Sequence, residues 1–192
     1  MMGPKSTLLA PITALEVVDL NEGNFVVYVG TGGEIRSYRG DQCNTVEVFD
    51  HHSVHGVRVC PKHDTLVGFG DKSVVLLQLD SLSVKRRLDN LCDMVLDCCL
   101  VSQISQTSQK TFLIIGFAHN FVDILELPPS TPPKFVRRVM GPAPCVLFSL
   151  NFSSADIVAD GDQQLLVASG NVFGAISWWK HFDKKRISKK VY

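Results

Sequence analysis

The sequence contains no long hydrophobic run, because its apolar stretches are short and are broken by charged residues or proline. About 18 consecutive apolar residues are needed to cross a bilayer as a helix, so we expect no membrane partner. The chain also lacks an excess of either charge, since 19 Lys and Arg balance 19 Asp and Glu. A zero net charge argues against a nucleic-acid module that binds through a strong positive field, but it leaves a local basic patch open.

Cysteine pairs of the C-x-x-C type are missing as well. The N-terminal run Leu8-Leu9-Ala10 is interrupted by Pro11 and makes a poor secretory signal, so we expect the chain to be mature protein. Without secretion, thiols stay reduced and behave as small buried hydrophobes. We therefore predict a cytoplasmic protein with free cysteines at six positions, Cys43, Cys60, Cys92, Cys98, Cys99 and Cys145.

Helical periodicity is weak, and a repeated hairpin pattern takes its place. No window keeps an apolar stripe at i, i+3, i+4 and i+7. Instead, two short apolar runs flank a turn rich in Gly, Asn or Asp, which is typical of a β-hairpin because such turns need positive φ. The pattern occurs four times, at Tyr28 to Arg39, Gly68 to Leu79, Gly116 to Leu127 and Ala168 to Trp179.

The spacing of these hairpins predicts a propeller. They begin at residues 28, 68, 116 and 168, which are 40, 48 and 52 residues apart. Further apolar runs precede each hairpin, at Ile12 to Val18, Val54 to Cys60, Met94 to Val101 and Cys145 to Phe152. Shorter ones follow the first three, at Val46 to Phe49, Val84 to Leu88 and Phe135 to Val139. Each interval thus holds about four strands, the content of one propeller blade of roughly 40–45 residues.

We therefore predict an all-β fold, a β-propeller of about four blades. The blades span approximately residues 8–50, 51–88, 93–139 and 145–180, and residues 181–192 form a basic C-terminal tail. The polar stretch Ser102 to Lys110 predicts an exposed loop, and Pro128 to Pro133 predicts an extended surface segment.

Several blocks of the chain resemble the WD-repeat-containing protein six family, whose members regulate a tRNA wobble-position ribose 2′-O-methyltransferase. The matches follow the family's order over about residues 8 to 180. They are Leu8 to Leu15, His55-Gly56-Val57-Arg58-Val59, the hairpin Val67 to Leu79, Gly116-Phe117-Ala118-His119-Asn120, Val167 to Gly170, Val172-Phe173 and Trp178. The chain departs from ordinary repeats in lacking a Trp-Asp ending, where Trp178-Trp179 stands instead.

The resemblance implies a WD40-type β-propeller of about four degenerate blades. Because the family's chains are larger, it also implies that this propeller is incomplete or open, and we expect its last blade to expose apolar surface. In function, the resemblance implies a non-catalytic scaffold. Its partner would be the tRNA ribose 2′-O-methyltransferase that modifies the anticodon wobble nucleotide, and the chain would contact tRNA at most indirectly. It implies no cofactor and no small-molecule substrate, and it identifies no binding residues. An alternative is a general WD-type interaction adaptor, such as the substrate receptor of a ubiquitin ligase.

Two glycine-rich segments favour hairpin turns over nucleotide-binding loops. Gly68-Phe69-Gly70-Asp71-Lys72-Ser73 has Asp71 where a P-loop requires the contiguous Gly-Lys-Ser/Thr, and a strand-like run follows it. Gly30-Thr31-Gly32-Gly33 lacks the third spaced glycine and the helix of a dinucleotide fingerprint.

The sequence gives little support for a catalytic metal site. His51, His55, Cys60 and His63 lie close in sequence and would define a metal-dependent propeller enzyme if they converged, but a strand directs alternate residues to opposite faces. His51 and His52 are better read as capping the turn before this strand, and the His55 to Val59 block as a packing signature.

Two other candidates, an aspartate pair and the basic tail, are also interpreted without catalysis. Asp93 and Asp97 are taken as a solvated face, and no G-x-S-x-G or methyl-donor motif occurs. The tail, with Phe182 and Tyr192, could contact RNA or act as a localisation signal. A frayed, solvated terminus is the favoured interpretation.

Overall fold

The computed structural model describes residues 10–19, 24–104, 109–141, 145–152, 157–158, 166–171, 176–180 and 189–191. These residues contain no α-helix, and the one helical element is the 3-10 turn Pro61–His63. The strands are β1 (Ile12–Asp19), β2 (Phe25–Thr31), β3 (Glu34–Arg39), β4 (Gln42–Glu47), β5 (Gly56–Cys60), β6 (Thr65–Gly70), β7 (Ser73–Gln78), β8 (Val84–Leu88), β9 (Val95–Ile104), β10 (Gln109–Phe117), β11 (Phe121–Glu126), β12 (Lys134–Met140), β13 (Leu147–Phe152), β14 (Ile157–Val158), β15 (Leu166–Asn171), β16 (Ile176–Lys180) and β17 (Lys189–Val191).

The strands form four consecutive antiparallel sheets, which confirms the all-β prediction. Blade 1 is β1-β2-β3-β4, blade 2 is β5-β6-β7-β8, blade 3 is β9-β10-β11-β12 and blade 4 is β13-β15-β16-β17. In each blade the chain meanders from an inner strand to an outer one, as in a propeller. Blade 3 carries a fifth strand that the sequence did not predict, because β14 pairs in parallel with the free edge of β9.

Three apolar cores lie between successive blades. The first joins blades 1 and 2, with Tyr28 and Ile35 packed among residues such as Leu66 and Leu77. The second joins blades 2 and 3 around Phe69 and Phe117. The third joins blades 3 and 4. Strands such as Ser73–Gln78 are apolar on both faces because their blade is covered on both sides.

The last strand of blade 1 differs from the prediction. We expected it at Val46 to Phe49, but β4 ends at Glu47 and is built from the polar residues that begin at Gln42. Val48 and Phe49 leave the sheet and bury their side chains in the core between blades 1 and 2. An outer strand can be polar because it lies at the solvent-facing rim. The apolar residues therefore belong to the linker after the strand, and the polar residues before them form the strand.

The predicted loop from Ser102 to Lys110 is wrong at both ends. Strand β9 continues through Ser102 to Ile104, and β10 begins at Gln109. The polar side chains in this pair do not prevent the ladder, because its hydrogen bonds are made by the backbone. The segment Pro128 to Pro133 contains no strand or helix, as expected.

The two ends of the blade series are described to different extents. Blade 1 leaves several large apolar side chains exposed, among them Leu15 and Val17. The prediction of an exposed apolar surface on the last blade concerns side chains outside the described residues. Part of the predicted basic tail, Lys189–Val191, is the outer strand of blade 4 and pairs with Ile176 to Trp178. No helix in the described part of the chain is long and apolar enough to cross a membrane.

Candidate partner-binding surface at the turn end

One end of the blades is a frame in which the linkers between blades hydrogen-bond to the hairpin turns. In blade 1 the amides of Val48 and Phe49 donate to the Gly33 carbonyl at 2.8 and 3.0 Å. In blade 2 the amide of Leu91 donates to the Lys72 carbonyl at 2.9 Å. In blade 3 the amide of Gly141 donates to the Asn120 carbonyl at 2.7 Å. We call this end the turn end, and its backbone bonds hold the loops in place.

Glycine is required where the linkers press on the turns. A Cβ added at Gly33 would lie 1.9 Å from the Phe49 carbonyl oxygen, and one at Gly70 would lie 2.1 Å from the Ser53 carbonyl oxygen. Because both obstacles are backbone atoms, no side-chain rotation relieves them. Both segments are hairpin turns, as the sequence predicted, with positive φ at Gly32 and Asp71.

The turn of blade 3 is fixed by a histidine and an aspartate. Asp93 Oδ2 accepts hydrogen bonds from the backbone amide of His119 and from its ring Nδ1, both at 2.9 Å. Burial raises the pKa of Asp93, but these bonds outweigh it, so the pKa is below its usual value. Blade 2 has a related contact, in which the amide of Asp71 donates to His55 Nδ1 at 3.3 Å.

Exposed apolar side chains surround this turn of blade 3. The Met94 carbonyl accepts from the amide of Ala118, Met140 lies in register with Phe121, and Val146 precedes a residue bonded to the Ala118 carbonyl. Met94, Met140 and Val146 are 38%, 52% and 50% exposed. Clustered exposed apolar side chains mark interaction sites, and flexible methionines suit protein partners. We name Met94, His119, Met140 and Val146 the turn-end surface.

A second polar site ties three blades together. Arg58 of β5 forms an ion pair with Asp97 of β9, with Nη2 and Oδ2 2.6 Å apart. Asp97 also accepts from the backbone amides of Phe152 and Cys98, each at 2.9 Å. Burial raises the pKa of Asp97, while Arg58 and the amides oppose that rise. The predicted solvated face is therefore wrong for Asp97, which is buried between blades.

The histidines and cysteine of the metal hypothesis are not brought together. His51 and His55 precede β5, whereas Cys60 ends it and His63 follows in the 3-10 turn. His52 stacks on Phe49 with ring centroids 4.4 Å apart. Within the described ranges, no group of three or more His, Cys, Asp or Glu side chains is arranged to hold a metal ion.

All six cysteines are free thiols. Cys60, Cys98 and Cys99 are buried, and Cys43 and Cys92 are exposed. Burial raises the pKa of the Cys60, Cys98 and Cys99 thiols, so these three stay protonated and unreactive.

A cleft of about 200 Å³ lies between strands of blade 1 and the residues Leu79 and Asp80 of blade 2. Its walls include Ser37, Arg39, Gln42, Asn44 and Asp80, and Arg39 pairs with Asp80 at 3.1 Å. Pockets for drug-sized ligands are mostly apolar and measure roughly 300–1,000 Å³. This cleft is smaller and mainly polar.

Sequence reasoning did not find the turn-end surface. Met94 and Val146 were assigned to strands of two different blades and Met140 lay in the linker between them, so no periodic pattern united them. The only signal was His119, which the resemblance had included in its glycine-histidine-asparagine turn. Arg58 was recognised as part of a packing block, but its partner Asp97 lies 39 residues away.

No protein-family model and no curated protein matches this chain. Solved structures do match over most of it. Raptor from Chaetomium thermophilum has a TM-score of 0.64 at 15% identity, over 94% of this chain and 17% of its own. Sqt1 from Saccharomyces cerevisiae has a TM-score of 0.62 at 10% identity, over 92% of this chain and 47% of its own.

A third match is the BBS1N chain from its complex with ARL6DN, with a TM-score of 0.60 and 11% identity. It is matched over 93% of this chain and 55% of its own. The chain therefore spans between 17% and 55% of the length of these three chains. The class defined by these likenesses and by the four antiparallel blades is a WD40-type β-propeller, here a series of four blades.

The stability that His63 contributes at the contact between blades 2 and 3 is expected to depend on pH. Its Nε2 lies 3.3 Å from the Ser102 hydroxyl. Burial, with Lys85 and Lys62 nearby, lowers the pKa of His63 below 6.5. A lowered histidine pKa stabilises the fold above the unfolded pKa, and that contribution is lost as pH falls through the folded pKa.

We expect His63→Gln to lose less stability than wild type when the pH falls from about 7.5 to 5.5, as measured by denaturant unfolding. The control is His51→Gln, because His51 is exposed. Equal pH slopes for His63→Gln and wild type would contradict the prediction.

Proposed function

We propose that this chain is a non-catalytic scaffold that holds a tRNA ribose 2′-O-methyltransferase during methylation of the anticodon wobble nucleotide. The observation that carries the proposal is the turn-end surface, in which exposed apolar side chains lie on a backbone frame bonded from linker to turn. Pre-organised loops contribute by orienting a partner, since a fixed surface avoids the entropic cost of ordering on binding. The resemblance of the His55 to Val59 and Gly116 to Asn120 blocks supports this choice of enzyme.

The zero net charge supports a protein partner rather than tRNA as the main contact. In this proposal the methyltransferase supplies both the catalytic residues and the methyl-donor site, and the scaffold acts in the cytoplasm. The chain itself needs no cofactor for positioning.

The proposal is tested with a double variant, Met94→Glu with Met140→Glu. Two charges on the turn-end surface should weaken binding of the purified methyltransferase at least about tenfold, because apolar anchors at interfaces contribute most of the affinity. The thermal midpoint should hardly change, since both side chains are exposed. Titration calorimetry gives the affinity, and wobble 2′-O-methylation in cells that contain only the variant gives the consequence.

The control places the same charge on the outer strands, as Val84→Glu with Val136→Glu. These valines are 54% and 45% exposed and lie on β8 and β12. The control should bind like wild type, and Met94→Leu with Met140→Leu should keep most of the affinity. If wild type does not bind the enzyme and instead recovers ubiquitin-ligase subunits, the adaptor alternative replaces the proposal.

A further inference from the structure

Two exposed histidines lie beside the hairpin turns of neighbouring blades at the turn end. His119 is part of the turn of blade 3, and its side chain is 66% exposed. His55 directly precedes β5 and contacts the turn of blade 2. Each ring is held through its Nδ1 atom, so the other ring nitrogen, Nε2, faces away from the group that holds it. Among the described residues, neither Nε2 has a hydrogen-bond partner.

The bond at Nδ1 fixes the position of the proton on each ring, because one nitrogen of a neutral imidazole donates and the other accepts. Burial raises the pKa of Asp93, but its hydrogen bonds hold the pKa below the usual value, so Asp93 is an ionised acceptor. His119 therefore carries its proton on Nδ1, 2.9 Å from Asp93 Oδ2, and its Nε2 is an acceptor. At His55 the amide of Asp71 donates to Nδ1 at 3.3 Å, so the proton is on Nε2, which is a donor.

Backbone hydrogen bonds hold the two rings at a fixed spacing. Asp71, whose amide binds His55, accepts a hydrogen bond at 2.7 Å from the amide of Val95 through its own carbonyl. The residue before Val95 accepts at 3.0 Å from the amide of Ala118, and His119 follows Ala118 in the chain. The two histidines thus belong to one continuous frame, and their spacing does not have to be ordered when a partner binds.

We propose that the turn end recognises its protein partner through these two atoms, with His119 Nε2 accepting from a lysine or arginine and His55 Nε2 donating to an acceptor. In the proposed function, on which this inference rests, the partner is the methyltransferase. A cationic donor suits His119 because the Asp93 carboxylate is bonded to the other side of the ring. The exposed apolar side chains of the turn-end surface exclude water around that bond. A partner with its donor and acceptor interchanged would leave both groups unmatched, so the pair selects one orientation.

The first test locates the two protons in the chain alone, by nitrogen-15 NMR of the histidine rings at about pH 8, where imidazole is ordinarily neutral. We expect a protonated Nδ1 for His119 and a protonated Nε2 for His55, with the signals assigned from their loss in His119→Asn and His55→Asn. The same tautomer at both rings overturns the proposal. So does rapid exchange between tautomers at either ring, because the hydrogen-bonding polarity would then not be fixed.

The second test measures binding to the purified methyltransferase by titration calorimetry. Asparagine keeps a polar atom near the position of Nδ1 and has none at Nε2, whereas the longer glutamine reaches the position of Nε2. His119→Asn should weaken binding about tenfold, since it loses a hydrogen bond to a charged group, and His55→Asn about fivefold. His119→Gln and His55→Gln should keep most of the affinity. Thermal midpoints close to that of wild type show that a loss of binding does not come from unfolding.

The outcomes of the binding test separate this inference from the proposed function. If the methyltransferase binds wild type and both asparagine variants equally, the inference is overturned and the proposed function stands. If the glutamine variants lose as much affinity as the asparagine variants, the Nε2 atoms are not what the partner recognises, and the inference is overturned as well. If the enzyme does not bind wild type, the proposed function fails, and the ring tautomers then decide by themselves whether the fixed polarity exists.

Discussion

Replacing Asp97 with alanine is expected to lower the free energy of unfolding by about 3 kcal/mol or more. The substitution removes the carboxylate that pairs with Arg58 and accepts from the buried amides of Phe152 and Cys98. It leaves a partly buried guanidinium and two amides without their partner, and unsatisfied buried groups are costly. The loss should be large because one side chain connects the inner strands of blades 2, 3 and 4.

The Asp97→Asn variant distinguishes the contribution of the negative charge to stability from that of the hydrogen bonds. The amide oxygen can still accept from a backbone amide, so we expect a smaller loss than with alanine. A double-mutant cycle with Arg58→Met then isolates the coupling between the two side chains. The measurement is guanidinium unfolding at a single protein concentration.

The matched control is the exposed pair of Arg39 and Asp80, which also joins two neighbouring blades, at 3.1 Å. The Asp80 side chain is 76% exposed, against 4% for Asp97. Exposed pairs contribute about 0–1 kcal/mol, so Asp80→Ala should change stability little. If Asp97→Ala costs no more than Asp80→Ala, the inner-strand connection does not stabilise the blades.

Replacing Phe117 with alanine is expected to cost about 3–5 kcal/mol, the usual loss for a buried aromatic side chain. Phe117 is fully buried in the core between blades 2 and 3. Its ring stacks on Phe121 with centroids 4.7 Å apart, and Arg138 covers the other ring at 4.1 Å. Alanine would remove contacts with both blades and leave a cavity. The cavity would persist because the backbone hydrogen bonds between strands limit how far the surrounding residues can move into it.

Phe135→Ala is the control, since Phe135 is 54% exposed on the outer strand of the same blade. We expect less than about 1 kcal/mol for this change. Denaturant unfolding of both variants provides the comparison. Equal losses for Phe117→Ala and Phe135→Ala would mean that the core between blades 2 and 3 does not stabilise the fold as described.

Patterns among residues close together in the sequence were enough to locate most strands. Glycine, asparagine and aspartate at the hairpin turns mark residues that adopt positive φ, and Gly32, Asp71 and Asn120 do so. The run at Val84–Leu88 is a strand with the predicted bounds. These features depend on residues near one another in sequence, so the sequence records them directly.

Local signals failed where a residue's role depends on a distant partner. Val48 and Phe49 looked like an outer strand because they are apolar, yet they fill the core between blades 1 and 2. Asp97 was interpreted, with Asp93, as part of a solvated face, yet Arg58 reaches it from the preceding blade. Ser102 looked like part of a loop, yet it pairs with Thr111 in the ladder.

The sequence by itself determined the hairpins, their spacing and thus the number of blades, because turn chemistry and strand alternation act over a few residues. Only the tertiary structure decided which faces are buried and which remain open. Val17 and Val59 both lie on the first strand of a blade and pair with an apolar residue of the next strand. Blade 1 covers Val59, whereas Val17 is 53% exposed among the described residues. Burial depends on what packs from outside the blade, and that is not encoded in the blade's own pattern.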